Sequence, residues 1–291
     1  MQYEQATPIN SNWQVSVKEY RDYPALNFHK LLDFHRDPRA FREGFFDDRE
    51  ETDAMRFGTA LHALVLQGEN AYNETVGVFN APINPKTGEP YGATTKAYAE
   101  ARAAFLTTSG DKTLISSEDD KTIRKLYDEL LFHPNAPIVL GRKWYQTEIP
   151  VKGFATFGDD KIEIKGLIDR YSDAGLVDVK TTAALTDASG RDQFRYAIYS
   201  YKYLIQLAFY QKILCECYDA PYMPCWIVAF EKNPPNRVAV YSIAEDVMEK
   251  ARFVVDEWIK DYIKATKNDR YEGRFEQAQL IDCYDYERDL Y

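Results

Sequence analysis

Residues 166–182 read GLIDRYSDAGLVDVKTT, and the fold turns on how they are read. Apolar and polar residues alternate up to Tyr171, Gly175 marks a turn and a short apolar run follows, so the stretch predicts strand, turn, strand. Asp169 lies near the end of the first strand, and Asp178, Val179 and Lys180 lie at the end of the second. Pairing as a hairpin makes the two carboxylates converge. Two acidic side chains at one point repel each other without a cation, but with the Val179 carbonyl they supply the oxygen ligands that magnesium or manganese takes. Lys180 is two residues from Asp178 and so projects from the same face of its strand. The plain alternative is a surface salt-bridge cluster on a hairpin, because D-x-K after an earlier Asp is a weak pattern by itself.

Working outward, residues 161–171 alternate as a strand with Ile162, Ile164 and Leu167 apolar, and residues 146–151 do the same. Residues 196–217 predict one long amphipathic helix, and 225–230 and 237–243 a strand pair joined by the turn Asn233-Pro234-Pro235-Asn236. Val247, Ala251, Val254, Trp258 and Tyr262 recur at helical spacing near the end. The first half reads as mostly helical. Asn27 caps a helix carrying Phe28, Leu31, Leu32 and His35, and Asp37-Pro38 restarts helix with a cap and an N1 proline. Residues 55–66 suit a buried helix ending at Gly68, 81–92 form a Pro- and Gly-rich loop, and 94–106 an alanine-rich helix. Ser117 opens a further helix with Ile123, Leu126 and Leu130 on one face, which stops near His133-Pro134. The fold class is therefore α/β in the α+β sense. A mixed sheet is flanked by helices, with a helical portion over 1–140 and a sheet-bearing portion over 141–291 integrated into one domain.

Three more side chains join the candidate site. Gln206 and Tyr210 are four residues apart, hence on one helix face, and are polar on an otherwise apolar stripe. They suit hydrogen bonding to a phosphate or to Lys180, against the alternative of an ordinary, partly exposed polar pair. His62 sits among small and apolar residues, where an imidazole needs a partner. It is either a satisfied core residue or a nitrogen beside the metal. An ammonium beside a metal can orient water and stabilise charge on a phosphate, which is what phosphodiester hydrolysis demands.

The net charge of −10 opposes nucleic-acid binding in bulk, but the field of the groove decides, and carboxylates that hold metal are neutralised by it. No run approaches the roughly 18 apolar residues of a membrane span. The opening MQYEQATPINSNW lacks the pattern of a signal peptide, so the expected compartment is the cytoplasm. Cys215, Cys217, Cys225 and Cys283 are irregularly spaced and read as reduced thiols. Tyr196, Tyr199, Tyr201 and Tyr203 cluster before the Gln206 helix. Core and interface packing is the expectation for them, with stacking on unpaired bases as the alternative.

In combination the early helix followed by DPRAF, then FGTALHALVL, FHPNAPIVL, the pair GLIDRY and VDVKTT, DASGRDQFRYAI and QLAFYQ run in order over residues 25–215. That order resembles the PD-(D/E)XK nuclease superfamily, and within it the exodeoxyribonuclease VIII (RecE-type) branch of phage exonucleases. The resemblance implies a restriction-endonuclease-like core with Asp169 and Asp178 as metal ligands, His62 as the histidine of the helical motif and Lys180 as the catalytic lysine. It makes Gln206 and Tyr210 the Q-x3-Y pair and marks Glu148, in WYQTEIPV, as a weaker candidate on the first strand. It further implies digestion of double-stranded DNA from an end with magnesium or manganese, a homo-oligomer, and a single-strand annealing protein as partner in phage-type recombination. Residues before 25 and after 215 match no named pattern.

Two other readings use the same residues. A CRISPR-adaptation-type nuclease resembles the same motif order but carries an iron–sulfur cluster, with one cysteine ahead of the histidine motif. Here the first cysteine is Cys215, which disfavours it. From a different class, a non-catalytic DNA-end-binding or protein-binding module, or a helical interaction protein with an acidic surface, would not need Asp169, Asp178 and Lys180 intact.

Overall fold

The computed structural model describes residues 7–11, 13–47, 51–141, 143–273 and 275–276; the expectation for Cys283 lies outside them. Helix caps set the first portion. α1 (Val17–Asp22) has a Ser16–Glu19 capping box, α2 (Phe28–Arg36) is capped by Asn27, and α3 (Pro38–Arg42) is capped by Asp37 with proline in its first turn. α4 (Asp53–His62) continues directly into a π-helical turn, Ala63–Gln67, which stops at Gly68. The expected single helix is thus under-wound in its second half, and the change of pitch begins at the residue after His62. Such turns recur at functional sites.

α5 (Glu69–Thr75) leads into β1 (Val76–Phe79), and α6 (Lys96–Ser109) leads into β2 (Thr113–Ser116). The two strands pair in parallel. The helical reading of the first half missed them because four residues are too few to show a period of two. α7 (Ser117–Phe132) follows, and its cap is Ser116, not the expected Ser117: the Ser116 side chain accepts from the Asp119 N–H. α8 (Ala136–Leu140) closes this portion.

The second portion supplies β3 (Tyr145–Phe157), β4 (Asp160–Ser172), β5 (Gly175–Thr182), α9 (Gln193–Ser200), α10 (Tyr203–Tyr218), β6 (Cys225–Glu231), β7 (Val238–Ile243) and α11 (Glu245–Asn268). The strands form one mixed sheet in the order β3-β4-β5-β6-β7, with β5 and β6 parallel and the other neighbours antiparallel. β3 and β4 make a hairpin longer than the alternation indicated, paired from Tyr145↔Ser172 to Phe157↔Asp160. β4 and β5 pair only from Arg170↔Val177 to the turn, and their diverging ends open the sheet beside Asp169 and Asp178. Gly175 turns the chain at φ +123, where a Cβ would lie 2.1 Å from the Pro224 carbonyl oxygen.

The single helix expected over 196–217 is two. α9 ends at Ser200 with Tyr201 as its cap, and Lys202 adopts a left-handed conformation (φ 62, ψ 32) before α10 begins. Nor is α10 amphipathic: Leu204, Gln206, Leu207, Ala208, Phe209 and Tyr210 are buried in succession, because the helix is enclosed between the sheet and α11. Alternation divides the sheet's side chains between two cores. Leu176, Ile227 and Ala229 join α10, α11 and α2. Val177, Val179, Val228 and Phe230 join α4, the π-helical turn, α7 and α8. No described helix is long and apolar enough to cross a membrane.

Gly166 admits α10 to the sheet, since an added Cβ would stand 3.1 Å from Tyr210 Cδ1 and Cε1 and 3.3 Å from Ile213 Cδ1. Gly166→Val is expected to destabilise the protein by about 1–3 kcal/mol through overpacking. A thermal melt checks it; an unchanged melting temperature contradicts the close approach.

Candidate active site

The register of the long hairpin puts two carboxylates face to face. Thr147 is opposite Arg170 and Ile149 is opposite Ile168, which leaves Glu148 against Asp169 with the pairing interrupted between them. Like charges directly opposite destabilise a sheet. Glu148 also sits at φ 50, in the left-handed region, a conformation that costs a non-glycine residue about 1–3 kcal/mol. A strained, partly buried, repelling pair is what a sheet tolerates when the site serves something other than stability.

His62, the last residue of α4, reaches this pair. Its Nε2 is 3.1 Å from the Val179 carbonyl oxygen, which can only accept, so Nε2 carries the ring proton. The remaining nitrogen, Nδ1, is 4.0 Å from Glu148 Oε1 and 4.0 Å from Asp169 Oδ1. Asp169 is itself aimed: its Oδ2 accepts the Val179 N–H at 2.7 Å, which leaves Oδ1 for the histidine side. Ligand atoms of His62, Glu148 and Asp169 all lie within 4.8 Å of one another, and no other such group of three or more occurs among the described residues.

Asp178 is brought beside this group but held differently. Its carboxylate is 1% exposed and receives no hydrogen bond of good geometry. The Lys180 ammonium, 2.5 Å from Oδ2, is what compensates it. Burial pushes the Asp178 carboxyl up, Lys180 opposes that and Asp169 adds to it, and the outcome is a pKa of about 7. Burial and then the Asp169 charge raise Glu148 to about 8. For Lys180 burial works against the charge, but Asp178 and Asp169 outweigh it and hold the ammonium above its usual pKa. Among the described residues one ammonium, that of Lys180, therefore serves the three carboxylates of Glu148, Asp169 and Asp178, and negative charge is in excess.

On α10, Gln206 and Tyr210 are buried rather than partly exposed, and Gln206 Nε2 donates to Tyr210 Oη at 3.0 Å. Burial, then Asp169 and Asp178, raise the Tyr210 phenol well above its ordinary pKa. It stays protonated, and with its oxygen already accepting from Gln206 it has a hydrogen to give. His62, Asp169, Val179, Lys180, Gln206 and Tyr210 all line one cleft of about 600 Å³.

The cleft also takes Arg21, His29 and Arg36 from the N-terminal helices and Tyr201 and Tyr203 from the α9–α10 corner. None of the three basic residues was singled out in the sequence, where they form no run. The buried Lys165 ties the Arg21 end of α1 to the sheet by donating to the carbonyls of Tyr20, Arg21 and Tyr23. The whole-chain charge of −10 thus says little about this cleft, which Arg21, Arg36 and Lys180 enter.

The described cysteines are apart from it: Cys215 and Cys217 are partly buried, and Cys225 is buried. Burial raises all three thiols, as expected of inert cysteines.

A family model for a PDDEXK-like domain of unknown function, DUF3799, matches residues 27–283. The chain belongs to this family. Membership places it in the PD-(D/E)XK nuclease superfamily, and the mixed five-stranded sheet flanked by helices agrees with such a fold. No curated protein matches the sequence. Among solved structures the chain is similar to a "Putative exonuclease" from Eubacterium rectale, with 16% identity, 94% of this chain and 98% of that chain covered, and a TM-score of 0.56. This is a likeness of fold. Another solved structure, SSO0001, aligns at 17% identity over 76% of this chain and 81% of that one with a TM-score of 0.28, too low to compare the two folds.

Proposed function

We propose that the protein is a divalent-metal-dependent exodeoxyribonuclease that hydrolyses linear double-stranded DNA from an end, in the manner of the exodeoxyribonuclease VIII branch. The observation that carries this reading is that His62 and Asp169 line one cleft with Lys180, with Glu148 completing a three-residue cluster around His62 and Asp169 and the buried Asp178 paired to Lys180. The donor set fits a cation: several carboxylate oxygens, a backbone carbonyl and one imidazole suit magnesium or manganese. The excess of negative charge and the strained Glu148 support the same reading.

Asp169 and Asp178 are the proposed ligands, with the Val179 carbonyl and His62 beside them and Glu148 as a further carboxylate. A divalent cation bound there would offset charge on the scissile phosphate and lower the pKa of water. Lys180 stays charged, so it orients the attacking water and stabilises the developing negative charge rather than acting as a base. Tyr210, oriented by Gln206, donates its hydroxyl hydrogen toward the phosphate. Arg21 and Arg36 draw the DNA backbone into the cleft. A homo-oligomer and a single-strand annealing partner belong to the same proposal, through the phage-type recombination role.

End dependence is tested with linear and covalently closed circular duplexes of one sequence. Loss of the linear form alone is expected. Equal loss of both would replace the exonuclease reading with an endonuclease.

A further inference from the structure

The tyrosines ahead of α10 are not packed into this chain's own core: Tyr196, Tyr199 and Tyr201 are 74%, 56% and 58% exposed. A second groove, of about 550 Å³, runs from the end of β5 along α9 and is walled by Thr181, Thr182, Ala184, Tyr196, Tyr201 and Tyr203. Thr181, Tyr201 and Tyr203 also line the catalytic cleft, so the two form one trough leading away from Lys180. Tyr203 begins it, with its ring centroid 4.9 Å from Lys180 Nζ. The rings of Tyr201 and Tyr203 follow at 5.7 Å with an interplanar angle of 27°.

This alignment depends on the backbone break. In a continuous helix, residues 201 and 203 would be separated by about 200° and face opposite ways. Left-handed Lys202 brings their rings side by side instead. A non-glycine residue in that conformation is unfavourable, and α9 and α10 joined end to end would avoid it.

We propose that this trough holds the unpaired nucleotides next to the scissile phosphate, with bases stacked on Tyr201 and Tyr196 and the backbone passing Lys180. The proposal rests on the nuclease reading above and adds which form of DNA the site accepts. Bases within a duplex are stacked on each other and present no face to a side chain, whereas an unpaired base does. Ring faces that continue directly from the cleft therefore select a strand already separated from its complement. The occupant is taken to be DNA rather than a second copy of the chain because the trough opens into the site that holds the phosphate, with three residues common to both.

The test measures binding of a fluorescent oligo-dT and of a blunt hairpin duplex to the full chain, with calcium present to fill the carboxylate site. Tyr201→Ala is expected to weaken oligo-dT binding about tenfold and hairpin binding less than twofold, and Tyr201→Trp to restore it. Sedimentation velocity on the same proteins should show no change of oligomeric state. Oligo-dT binding by Tyr201→Ala equal to that of wild type overturns the proposal, as does a loss that Trp does not restore and that accompanies dissociation of the oligomer, which would make this face a subunit contact. Wild type that binds and digests the duplex but ignores oligo-dT also overturns it while leaving the nuclease reading intact. Wild type that neither binds nor digests any DNA overturns both.

Discussion

Replacing Lys180 with alanine is expected to slow metal-dependent phosphodiester hydrolysis by about 10²–10³-fold, the usual effect of removing one preorganised group that faces developing charge. Among the described residues Lys180 is the ammonium paired with Asp178, at 2.5 Å, and it also faces the Tyr203 ring at the entrance to the trough. The substitution affects stability as well. Removing one partner of a buried ion pair costs about 3–5 kcal/mol when the other stays charged. Asp178, already lifted to about 7 with its lysine in place, can take up a proton at neutral pH and limit that loss. The variant should therefore remain folded but melt lower, and increasingly so as pH rises. Single-turnover rates and melting curves on one preparation separate the two effects. A rate within threefold of wild type would remove Lys180 from the chemistry.

The second large effect concerns the metal-free protein. Glu148 and Asp178 have folded pKa values of about 8 and about 7, above their ordinary 4.5 and 3.8. Groups with raised folded values bind protons more tightly when folded, so stability is greatest below the ordinary carboxylate range and falls as pH rises toward 8. Metal-free wild type should lose on the order of a few kcal/mol over that window, with each kcal/mol lowering the melting temperature by about 2–4 °C. Glu148→Gln removes one of the opposed charges and should flatten the decline while reducing the stabilisation that added manganese confers. The variant is thus expected to be more stable than wild type at pH 8 without metal and less responsive with it. A steeper decline in Glu148→Gln would mean that Glu148 is a compensated structural residue.

Much of this site was legible because its spacing is local. Asp178 and Lys180 are two residues apart on one strand, a glycine turn separates them from Asp169, and the helix caps at Asn27 and Asp37 are single-residue signals. What the sequence did not display depends on distant register. Glu148 looks like any strand glutamate until the hairpin sets it against Asp169. The parallel pairing of β1 with β2 is decided across the whole of α6. The break at Lys202 has neither glycine nor proline to announce it, so helical periodicity ran on through it. Arg21, His29 and Arg36 meet the cleft only because α1 and α2 dock beside it.

The most direct test of the central claim is digestion of an end-labelled linear duplex by the purified protein in magnesium, in manganese and in excess chelator, beside Lys180→Ala. The site described here predicts nucleotide release with metal, none with chelator, and a deep loss in the variant. Release that persists in chelator, or that Lys180→Ala sustains at the wild-type rate, would contradict it.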